Sequence, residues 1–537
     1  SSNQDTDNLL AETDGFSRFQ ITLMSIAFIT RFTLPCHFLV HNFISDVPSH
    51  HCNITALDDG DIFENLTQEQ RLTVSIPAQE DGALSSCEMF PQPQLHLLYG
   101  PSNTTDTPAI ECQNGWVYDT STFTSTIATE WDLLCDKKSM SKATTTIFFV
   151  GVMIGAMVFG SLSDRFGRRN MLMLSYILGM IFGMASAFSK SYVMFAILRF
   201  LTGFGITGIS IVSTVLCVEW VDVEHRRIVG VVDSLAWTFG SIVLSGIAYL
   251  VRDWRSLIIT ITSPLAVAIL CWRWVPESAR WLIATGKTEK AHYYLRKCAK
   301  MNKRDGFASL IKPEVVVSEK GQKMYTYLDL VRTPKMRRIA ILTGIIWYGI
   351  ASTFYGISFN LTGFGLNIYL TQLIYALIEL PAKAAVYYCL EKIGRRSTES
   401  GALLLAGLCL GINIFVPKGT QTFSLIVLLG KAGSAASFST IFLYTSELYP
   451  TVVRQNGLGY TSFMARIGVS MAPLILMLDD VWYLLPQVIM CIVAITAGLV
   501  TTRLPETRNR RLPETIQDVE LDNMQGHKIG NDLKSLP

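Results

Sequence analysis

The chain has 537 residues, of which half are hydrophobic and only 16% are charged, whereas a soluble globular domain carries roughly a quarter charged residues. The 45 basic and 43 acidic residues leave a net charge of +2, so the charge balance points to no nucleic-acid partner. The composition therefore argues against a soluble protein and favours a chain that crosses a membrane many times.

The first 18 residues are polar and acidic and lack the basic stretch and apolar core of a cleavable signal peptide. We therefore expect the first apolar run to act as the insertion signal. Twelve apolar runs follow, each near the roughly 20 residues that a helix needs to cross about 30 Å of hydrocarbon. The predicted spans are 19–43, 143–163, 171–188, 192–216, 228–250, 256–275, 339–359, 367–390, 398–416, 422–446, 454–477 and 482–502.

The polar segment between the first two spans, 44–142, has features of an extracellular loop. It holds four of the eleven cysteines, which predict two disulfides with three possible connectivities: Cys52, Cys87, Cys112 and Cys135. It also holds three predicted N-glycosylation sites, at Asn53, Asn65 and Asn103. A further sequon at Asn360 falls at the predicted end of a membrane helix and is interpreted as a false match.

The distribution of basic residues gives the same orientation. The segment 44–142 contains four Lys or Arg residues, whereas 276–338 contains fifteen, as expected for a cytoplasmic loop. Both termini are then cytoplasmic. The predicted organisation is a cytoplasmic N-terminus (1–18), a six-helix half (19–275) with the extracellular loop, an intracellular loop with short helices (276–338), a second six-helix half (339–502) and a cytoplasmic tail (503–537).

Three motifs occur twice, 227 to 229 residues apart. An acid-x-x-G-R-R motif follows the second and eighth spans, a Glu and an Arg seven residues apart follow the fourth and tenth, and a Pro-Glu dipeptide follows the sixth and twelfth. This duplication predicts two halves of the same topology, a transporter architecture in which the substrate is held between the halves.

The charged residues of these motifs are predicted to form a cytoplasmic gate, because acid–arginine pairs between helix ends can hold one conformation and break in another. The gate residues are Asp164, Arg165, Arg168, Glu219, Arg226, Glu277, Glu391, Arg395, Glu447, Arg454 and Glu506. The alternative is that the basic members only set the membrane orientation.

Residues 203–208 read G-x-G-x-x-G, the pattern of a dinucleotide-binding loop. Such a loop needs a preceding strand, whereas this stretch lies inside an apolar span, so we interpret it as close helix packing through small residues. The sequence has no metal cluster, nucleophile triad or phosphate loop in a suitable context. Neither an enzymatic activity nor a cofactor is predicted.

Ionisable residues inside a span are costly and usually face a cavity. The candidates are Arg31, His37, Asp233, Glu379, Lys383, Lys431 and Arg466. Arg466 lies midway along the eleventh span, too far from either end to reach the interface easily, so we predict that it lines a central cavity and binds substrate. The alternative is an ion pair with an acid on another helix.

The remaining candidates have more local interpretations. Lys383 is predicted to bind substrate, although Glu379 one turn earlier could neutralise it; Pro381 between them weakens that pairing. His37 either bonds substrate or is a buried structural histidine. Arg31 is interpreted as structural and Asp233 as a gate partner.

Aromatic residues recur at positions suited to a cavity lining, where rings could stack on the apolar body of an amphipathic anion. Phe438 and Phe442 are four residues apart and share a helix face. The alternative for each ring is ordinary packing. The candidates are Trp237, Trp347, Tyr355, Phe438 and Phe442.

Five stretches resemble solute carrier family 22 and extend over nearly the whole chain. They are STIATEWDL (125–133), SDRFGRR (163–169), PESARWL (276–282), ELYPT (447–451) and LPETI (512–516). Two further stretches, MARIG (464–468) and LPAK (380–383), resemble the organic anion branch of that family, whereas its cation branch lacks the Arg.

The resemblance implies an all-α major facilitator fold and transport of amphipathic organic anions by alternating access, as facilitated diffusion or anion exchange. It implies that Arg466 and Lys383 bind the anion and that the pocket is lined by His37, Trp237, Trp347, Tyr355, Phe438 and Phe442. The partners expected are a small organic anion, an exchanged counter-anion and membrane lipid, with no nucleic acid and with a monomer sufficient for transport. The first span and residues 222–226 are similar to a liver and kidney subtype, which implies a basolateral plasma membrane.

Two alternatives remain open at this point. Glu379 and Asp233 are also intramembrane, which would suit an organic cation or zwitterion carrier of the same family. The large outer loop would suit a receptor or adhesion protein that transports nothing, although the duplicated motifs argue against this.

Overall fold

The computed structural model describes residues 16–99, 107–222, 225–303, 326–361, 366–508, 513 and 515–521. Within these ranges the chain forms twelve membrane-crossing helices, because a chain in lipid must satisfy its backbone hydrogen bonds internally. They are α1 (Arg18–Ile44), α2 (Lys138–Phe166), α3 (Arg168–Ala187), α4 (Tyr192–Trp220), α5 (Arg226–Leu250), α6 (Trp254–Trp274), α7 (Pro334–Ser358), α8 (Ile368–Lys392), α9 (Arg395–Ile412), α10 (Gln421–Leu448), α11 (Arg454–Leu476) and α12 (Leu485–Thr501).

Ten of these helices are long and apolar enough to cross a membrane, judged by length and composition. The other two are α9, which begins on two arginines, and α12, which has only 17 residues. The predicted twelve-helix fold is confirmed. Two spans expected to be continuous are interrupted: α1 near Phe32 and Val40, and α6 at Ser263. Pro35 and Pro264 account for the breaks at Phe32 and Ser263, because proline donates no backbone hydrogen bond and its ring displaces the preceding turn.

Glycines bring the helices of the N-terminal half together. A side chain added at Gly205 of α4 would lie 3.0 Å from the backbone nitrogen of Gly179 on α3, and one added at Gly208 would lie 2.7 Å from the Ser175 hydroxyl. Gly203 faces the backbone carbonyl of Phe148 on α2 at a similarly short distance. The interpretation of the G-x-G-x-x-G run as helix packing is therefore confirmed.

The extracellular loop is a small disulfide-linked unit. Strand β1 (His50–Cys52) pairs antiparallel with β4 (Trp116–Tyr118), and β2 (Glu88–Met89) pairs with β3 (Ile110–Glu111). Of the three connectivities left open by the sequence, the structure has Cys52–Cys112 and Cys87–Cys135. The second disulfide joins the loop to the chain just before α2.

Two of the three predicted glycosylation sites lie on this loop. Asn65 is exposed, and the Asn53 side chain accepts hydrogen bonds from the backbone N–H and hydroxyl of Thr55, the third residue of its sequon. Asn103 lies outside the described residues.

On the cytoplasmic side, the helices Ala279–Ala284 and Thr288–Met301 follow α6. The second one packs under the start of α1: the backbone N–H of Phe19 donates to the Asn302 amide at 3.0 Å, and the Gln20 amide contacts Cys298 at 3.5 Å. This contact ties the central loop to the N-terminal half.

Candidate binding site between the halves

The extracellular ends of the two halves are in contact. The rings of Phe43 on α1 and Tyr369 on α8 stack with centroids 5.5 Å apart, and the Tyr369 hydroxyl donates to the carbonyl of Thr122 in the outer loop at 2.8 Å. The Asn42 amide donates to the Ser358 carbonyl of α7 at 3.0 Å. These contacts close the interface on the extracellular side, so the candidate site lies deeper in the membrane.

A group of aromatic rings joins the two halves below this closure. Trp237 of α5 lies edge-on to Tyr355 of α7, with centroids 6.3 Å apart, and to Phe38 of α1, at 5.7 Å. Phe149 of α2 contacts Tyr355 at 5.7 Å. Two predicted pocket residues, Trp237 and Tyr355, are therefore brought together from opposite halves.

The other three predicted rings form a second group within the C-terminal half. Trp347 of α7 is edge-on to Phe442 and Phe438 of α10, with centroids 5.1 and 6.4 Å apart. Phe354 contacts Phe438 at 5.2 Å and connects this group to Tyr355. Trp347 is buried. Phe442, which lies one turn beyond Phe438 toward the cytoplasmic end of α10, is 53% exposed. The rings thus form a continuous path from the closed outer end toward the cytoplasmic side.

Three charged residues form a network beside these rings. Glu379 of α8 lies 3.5 Å from the Lys431 ammonium of α10 and 3.7 Å from that of Lys383, one turn further along α8. Lys383 also donates to the Ser234 carbonyl and the Thr238 hydroxyl of α5, at 3.1 and 2.9 Å. The contact between Glu379 and Lys383, which Pro381 was expected to weaken, is therefore present. Lys383 in addition connects this network to the N-terminal half.

Lys431 occupies the most buried position in this network. Its ammonium donates to the Ser358 hydroxyl at 2.6 Å and lies 3.7 Å from the centre of the Phe354 ring. A small cavity adjoins it between the halves. The cavity is lined by Leu39, Ser241, Ser358, Gln372, Tyr375, Ala376, Glu379 and Lys431.

Arg466 differs from these lysines because no acidic residue in the described ranges neutralises it. It lies on α11, where Gly468 approaches the Tyr348 carbonyl of α7 closely, and it is near Tyr355. Its Nε is buried without a hydrogen-bond partner, and no carboxylate among the described residues lies within ion-pair distance of the guanidinium. The alternative that Arg466 is held by a buried acid is therefore contradicted within the described part of the chain.

His37 lies elsewhere. Its side chain is fully buried in the N-terminal half near Arg199 of α4, and both of its ring nitrogens lack hydrogen-bond partners among the described residues. The contacts of the described chain do not join His37 to Arg466 or to Lys383.

Arg31 and Asp233 form an ion pair inside the N-terminal half, with Nε and a carboxylate oxygen 3.0 Å apart. The Arg31 guanidinium also donates to the Ser210 carbonyl and the Thr214 hydroxyl of α4, each at 2.7 Å. This pairing agrees with the structural interpretation of Arg31. Asp233 is the counter-ion of Arg31, and its interpretation as a gate partner stays a prediction.

Comparison with known proteins gives the family. A family model described as "Sugar (and other) transporter" matches residues 96–518. Solute carrier family 22 member 7 from Bos taurus is 43% identical, covering 96% of each chain, and the same member from Homo sapiens is also 43% identical, covering 96% of each chain. The chain belongs to solute carrier family 22.

Other matches agree with this family 22 membership. Solute carrier family 22 member 6-A from Xenopus laevis is 38% identical over 95% of this chain and 93% of its own. Among solved structures, the inward open xylose transporter XylE from E. coli superposes with a TM-score of 0.61 over 93% of this chain and 99% of its own. At 16% identity this likeness shows the fold alone, which is that of the major facilitator superfamily. The protein is a multi-pass membrane transporter.

The duplicated motifs of this family 22 carrier form two similar clusters at the cytoplasmic ends. In the N-terminal half, Arg168 of α3 lies 3.0 Å from Glu219 and 2.9 Å from Asp164. The Glu277 carboxylate accepts hydrogen bonds from the backbone N–H groups of Arg168 and Arg169, with N–O distances of 3.0 and 3.3 Å. Burial raises the pKa of Glu277 above its usual value, although these backbone N–H groups and that of Ser278 oppose the rise.

The C-terminal half repeats this arrangement with Arg395 of α9, which lies 3.2 Å from Glu447. Glu506 accepts the backbone N–H groups of Arg395 and Arg396 at 2.9 and 3.2 Å. The Arg454 guanidinium donates to the Ser446 carbonyl at 2.8 Å.

Two of the predicted gate residues stand apart from these clusters. Arg165 and Glu391 are exposed and form no ion pair with any residue that the structure describes. The Arg226 side chain lies outside the described part of the structure.

Sequence reasoning missed Arg199, which is fully buried in the fourth span of the carrier. The signal was available, because a lone Arg seven residues inside an apolar run meets the same criterion that singled out Arg466. It also missed Glu399 of α9, a fully buried carboxylate whose two oxygens have no hydrogen-bond partner in the described ranges. Glu399 lies at the predicted start of the ninth span, where a charged residue is expected to reach water and was therefore not taken as buried.

Proposed function

We propose that this family 22 carrier transports amphipathic organic anions by alternating access, as facilitated diffusion or anion exchange, with Arg466 as the main anion ligand. The observation that carries the proposal is the uncompensated guanidinium of Arg466, which has no carboxylate partner among the described residues. A buried charge is costly without a counter-charge, and an arginine binds carboxylate or phosphate through two parallel hydrogen bonds. An organic anion would supply the missing charge.

The surroundings of Arg466 support the same substrate class. Lys383, Lys431 and Arg466 contribute three positive charges, and Glu379 removes only one of them. The rings of Trp237, Tyr355, Trp347, Phe438 and Phe442 offer the apolar, stackable surface that a flat amphipathic solute requires.

An organic cation is less well suited to this site. Glu379 is its best acidic ligand, but both of its carboxylate oxygens are already engaged, one by Lys431 and the other by Lys383 and Thr238. Asp233 is likewise held by Arg31. A cation would have to displace a buried lysine or arginine before it could bind.

The test is competitive uptake in cells that express the carrier, using a panel of labelled organic anions and cations. Arg466→Ala should lower the ratio kcat/KM for anions about 10- to 100-fold, since a hydrogen-bonded charge contributes about 1.5–3 kcal/mol. Arg466→Lys should restore part of the loss. Arg503→Ala, which removes an exposed arginine at the end of α12, is the matched control and should leave uptake unchanged. Unchanged anion uptake with altered cation uptake in Arg466→Ala would overturn the proposal.

The cytoplasmic clusters are proposed to act as the gate of the transport cycle. Each Arg–Glu contact holds neighbouring helix ends together within one half, and we expect it to break when those helix ends move apart during the cycle. Loss of one contact should change the transport rate more than the apparent KM, because the contact is distant from the substrate site.

The cellular setting is proposed from the resemblance to the liver and kidney subtype. We propose a basolateral plasma membrane, an exchanged intracellular counter-anion and a monomer as the transporting unit. Surface labelling of polarised epithelial cells tests the location. Stimulation of uptake by preloaded dicarboxylate tests the exchange, because a uniporter would not respond in the same way.

A further inference from the structure

The Thr238 hydroxyl of α5 lies between two opposite charges of the other half. It donates to a Glu379 carboxylate oxygen at 3.1 Å and accepts from the Lys383 ammonium at 2.9 Å. The ammonium also donates to the Ser234 carbonyl, one turn earlier on α5, at 3.1 Å. These three bonds, the α5–α8 tie, connect one turn of each helix across the interface between the halves.

Burial and chemistry fix the direction of each bond in the tie. Thr238 is 1% exposed and Glu379 is 3% exposed, so water does not readily replace either partner. An ammonium has only donors and a carboxylate has only acceptors, so the single hydrogen of the Thr238 hydroxyl points to Glu379 while its oxygen accepts from Lys383. One hydroxyl of the N-terminal half thus holds both charged residues of this turn of α8.

The tie occupies the donors with which Lys383 would bind an anion. Two of the three N–H groups of its ammonium bond to α5, and a Glu379 oxygen lies 3.7 Å from the same nitrogen. The Lys383 side chain is nevertheless 21% exposed, so a ligand has a route to it. A carboxylate that binds Lys383 must therefore take over bonds that connect the two halves.

We propose that Thr238 is a positioning residue, which holds Lys383 on the N-terminal half until an organic anion draws the ammonium away. This inference rests on the proposed function, because it needs an anion at Lys383. A ligand shifts a conformational equilibrium only through its different affinities for the two states. The anion binds better to the state in which the tie is broken, so its binding favours separation of α5 from α8 and opening of the closed outer end.

The test is the accessibility of the interface from outside, in intact cells that express the full-length carrier with Ala376→Cys. Ala376 is 2% exposed and lines the cavity between the halves, so a membrane-impermeant thiol reagent reaches a cysteine there only when the outer end opens. It precedes Lys383 on the extracellular side by about 10 Å along the helix, which leaves room for an anion at Lys383. The carrier without Ala376→Cys gives the background labelling of its own cysteines.

Thr238→Val removes the hydroxyl and nearly keeps the shape of the side chain. Without any anion, it should raise the labelling rate about 10-fold, the effect expected when a hydrogen bond to a charged group is lost. Thr238→Ser keeps the hydroxyl and should retain the original rate. Thr238→Ala also lacks the hydroxyl but adds no methyl group in its place. It is the second variant, for the case that valine disturbs packing, and should behave as Thr238→Val.

Benzoate, a flat aromatic carboxylate, is the probe for the coupling. At saturating concentration it should accelerate labelling several-fold when residue 238 is Thr or Ser, but less than about twofold in Thr238→Val, where the tie is already broken. Ser245→Ala is the matched control, because it removes a buried hydroxyl of α5 that donates to the Ser241 carbonyl of the same helix. It should change neither the basal rate nor the response to benzoate.

The proposal is overturned if Thr238→Val is labelled as slowly as Thr238→Ser, or if Ser245→Ala reproduces the effect of Thr238→Val. It is also overturned if benzoate leaves the labelling of the Thr238 carrier unchanged. The comparison of Thr238→Val with Thr238→Ser is made without an anion and does not depend on the substrate. Failure of the proposed function is detected separately, as anion uptake that persists in Arg466→Ala, so the two failures are distinguishable.

Discussion

At the cytoplasmic ends, the two halves of this carrier form the same contacts between equivalent residues. Arg168 lies beside Glu219 while Glu277 accepts backbone N–H groups at the start of α3, and Arg395 lies beside Glu447 while Glu506 does the same at the start of α9. A glycine precedes each arginine with nearly the same backbone angle: φ is 95° at Gly167 and 96° at Gly394.

At the middle of the membrane, the halves have diverged. In the N-terminal half, Asp233 neutralises Arg31, and Arg199 has no acidic partner among the described residues. The C-terminal half places Glu379 between two lysines and leaves Arg466 without an acidic partner in the described chain. The duplicated elements are thus those that hold helix ends together, whereas the elements that differ lie where the substrate would bind.

Replacing the central acids should give the largest difference between the halves. Glu379→Gln leaves two buried ammonium groups without a counter-charge, and we expect a loss of about 3–5 kcal/mol in the free energy of unfolding. Asp233→Asn should cost less, about 1–3 kcal/mol, because Arg31 keeps its bonds to Ser210 and Thr214. Chemical unfolding in detergent measures both. A larger loss of stability for Asp233→Asn than for Glu379→Gln would contradict this difference between the halves.

Replacing the cytoplasmic arginines should give smaller effects, with a definite order. The Arg168 side chain is 10% exposed and pairs with two carboxylates, whereas that of Arg395 is 21% exposed and pairs with one. We expect Arg168→Ala to cost about 2–4 kcal/mol and Arg395→Ala about 1–2 kcal/mol. Equal losses would contradict this order.

The glycines before these arginines should respond equally. Gly167→Ala and Gly394→Ala place a side chain at positive φ, and each new methyl group would meet a Glu277 or Glu506 oxygen, at 2.5 and 2.7 Å. We expect each to lower the free energy of unfolding by about 1–3 kcal/mol. Gly160→Ala and Gly401→Ala, at open positions of α2 and α9, are the matched controls and should be neutral or slightly stabilising. A loss confined to one half would contradict the symmetry.

The smallest expected effect is a pH dependence at Glu277. Burial raises the pKa of this carboxyl in the folded state, so the folded protein binds its proton more tightly than the unfolded chain. The ionised form therefore lowers stability at neutral pH, and this cost is relieved as the pH falls through the raised pKa toward the ordinary value of 4.5. Tm profiles between neutral pH and about pH 4 should show this relief in the unmodified protein but not in Glu277→Gln. Identical slopes of Tm against pH in the unmodified protein and in Glu277→Gln would contradict this role of Glu277.

The sequence by itself determined the elements that depend on local pattern. Apolar runs predicted the twelve helices, the near-constant spacing of three motifs predicted the two halves, and the positions of cysteines and basic residues gave an orientation that stays a prediction. It also identified Arg466 and the five rings as candidates, because a charge or an aromatic cluster inside an apolar run is visible without any knowledge of its neighbours.

Only the tertiary structure decided which of these residues meet. The Lys431–Glu379–Lys383 network, the Arg31–Asp233 pair and the neighbourhood of His37 and Arg199 each join helices that lie far apart in sequence. Periodicity shows that a residue is in a span but does not give the rotation of that helix against its neighbours. That rotation is set by helix packing, here through Gly203 and Gly468, and it determines which buried charges are neutralised and which remain available to a ligand.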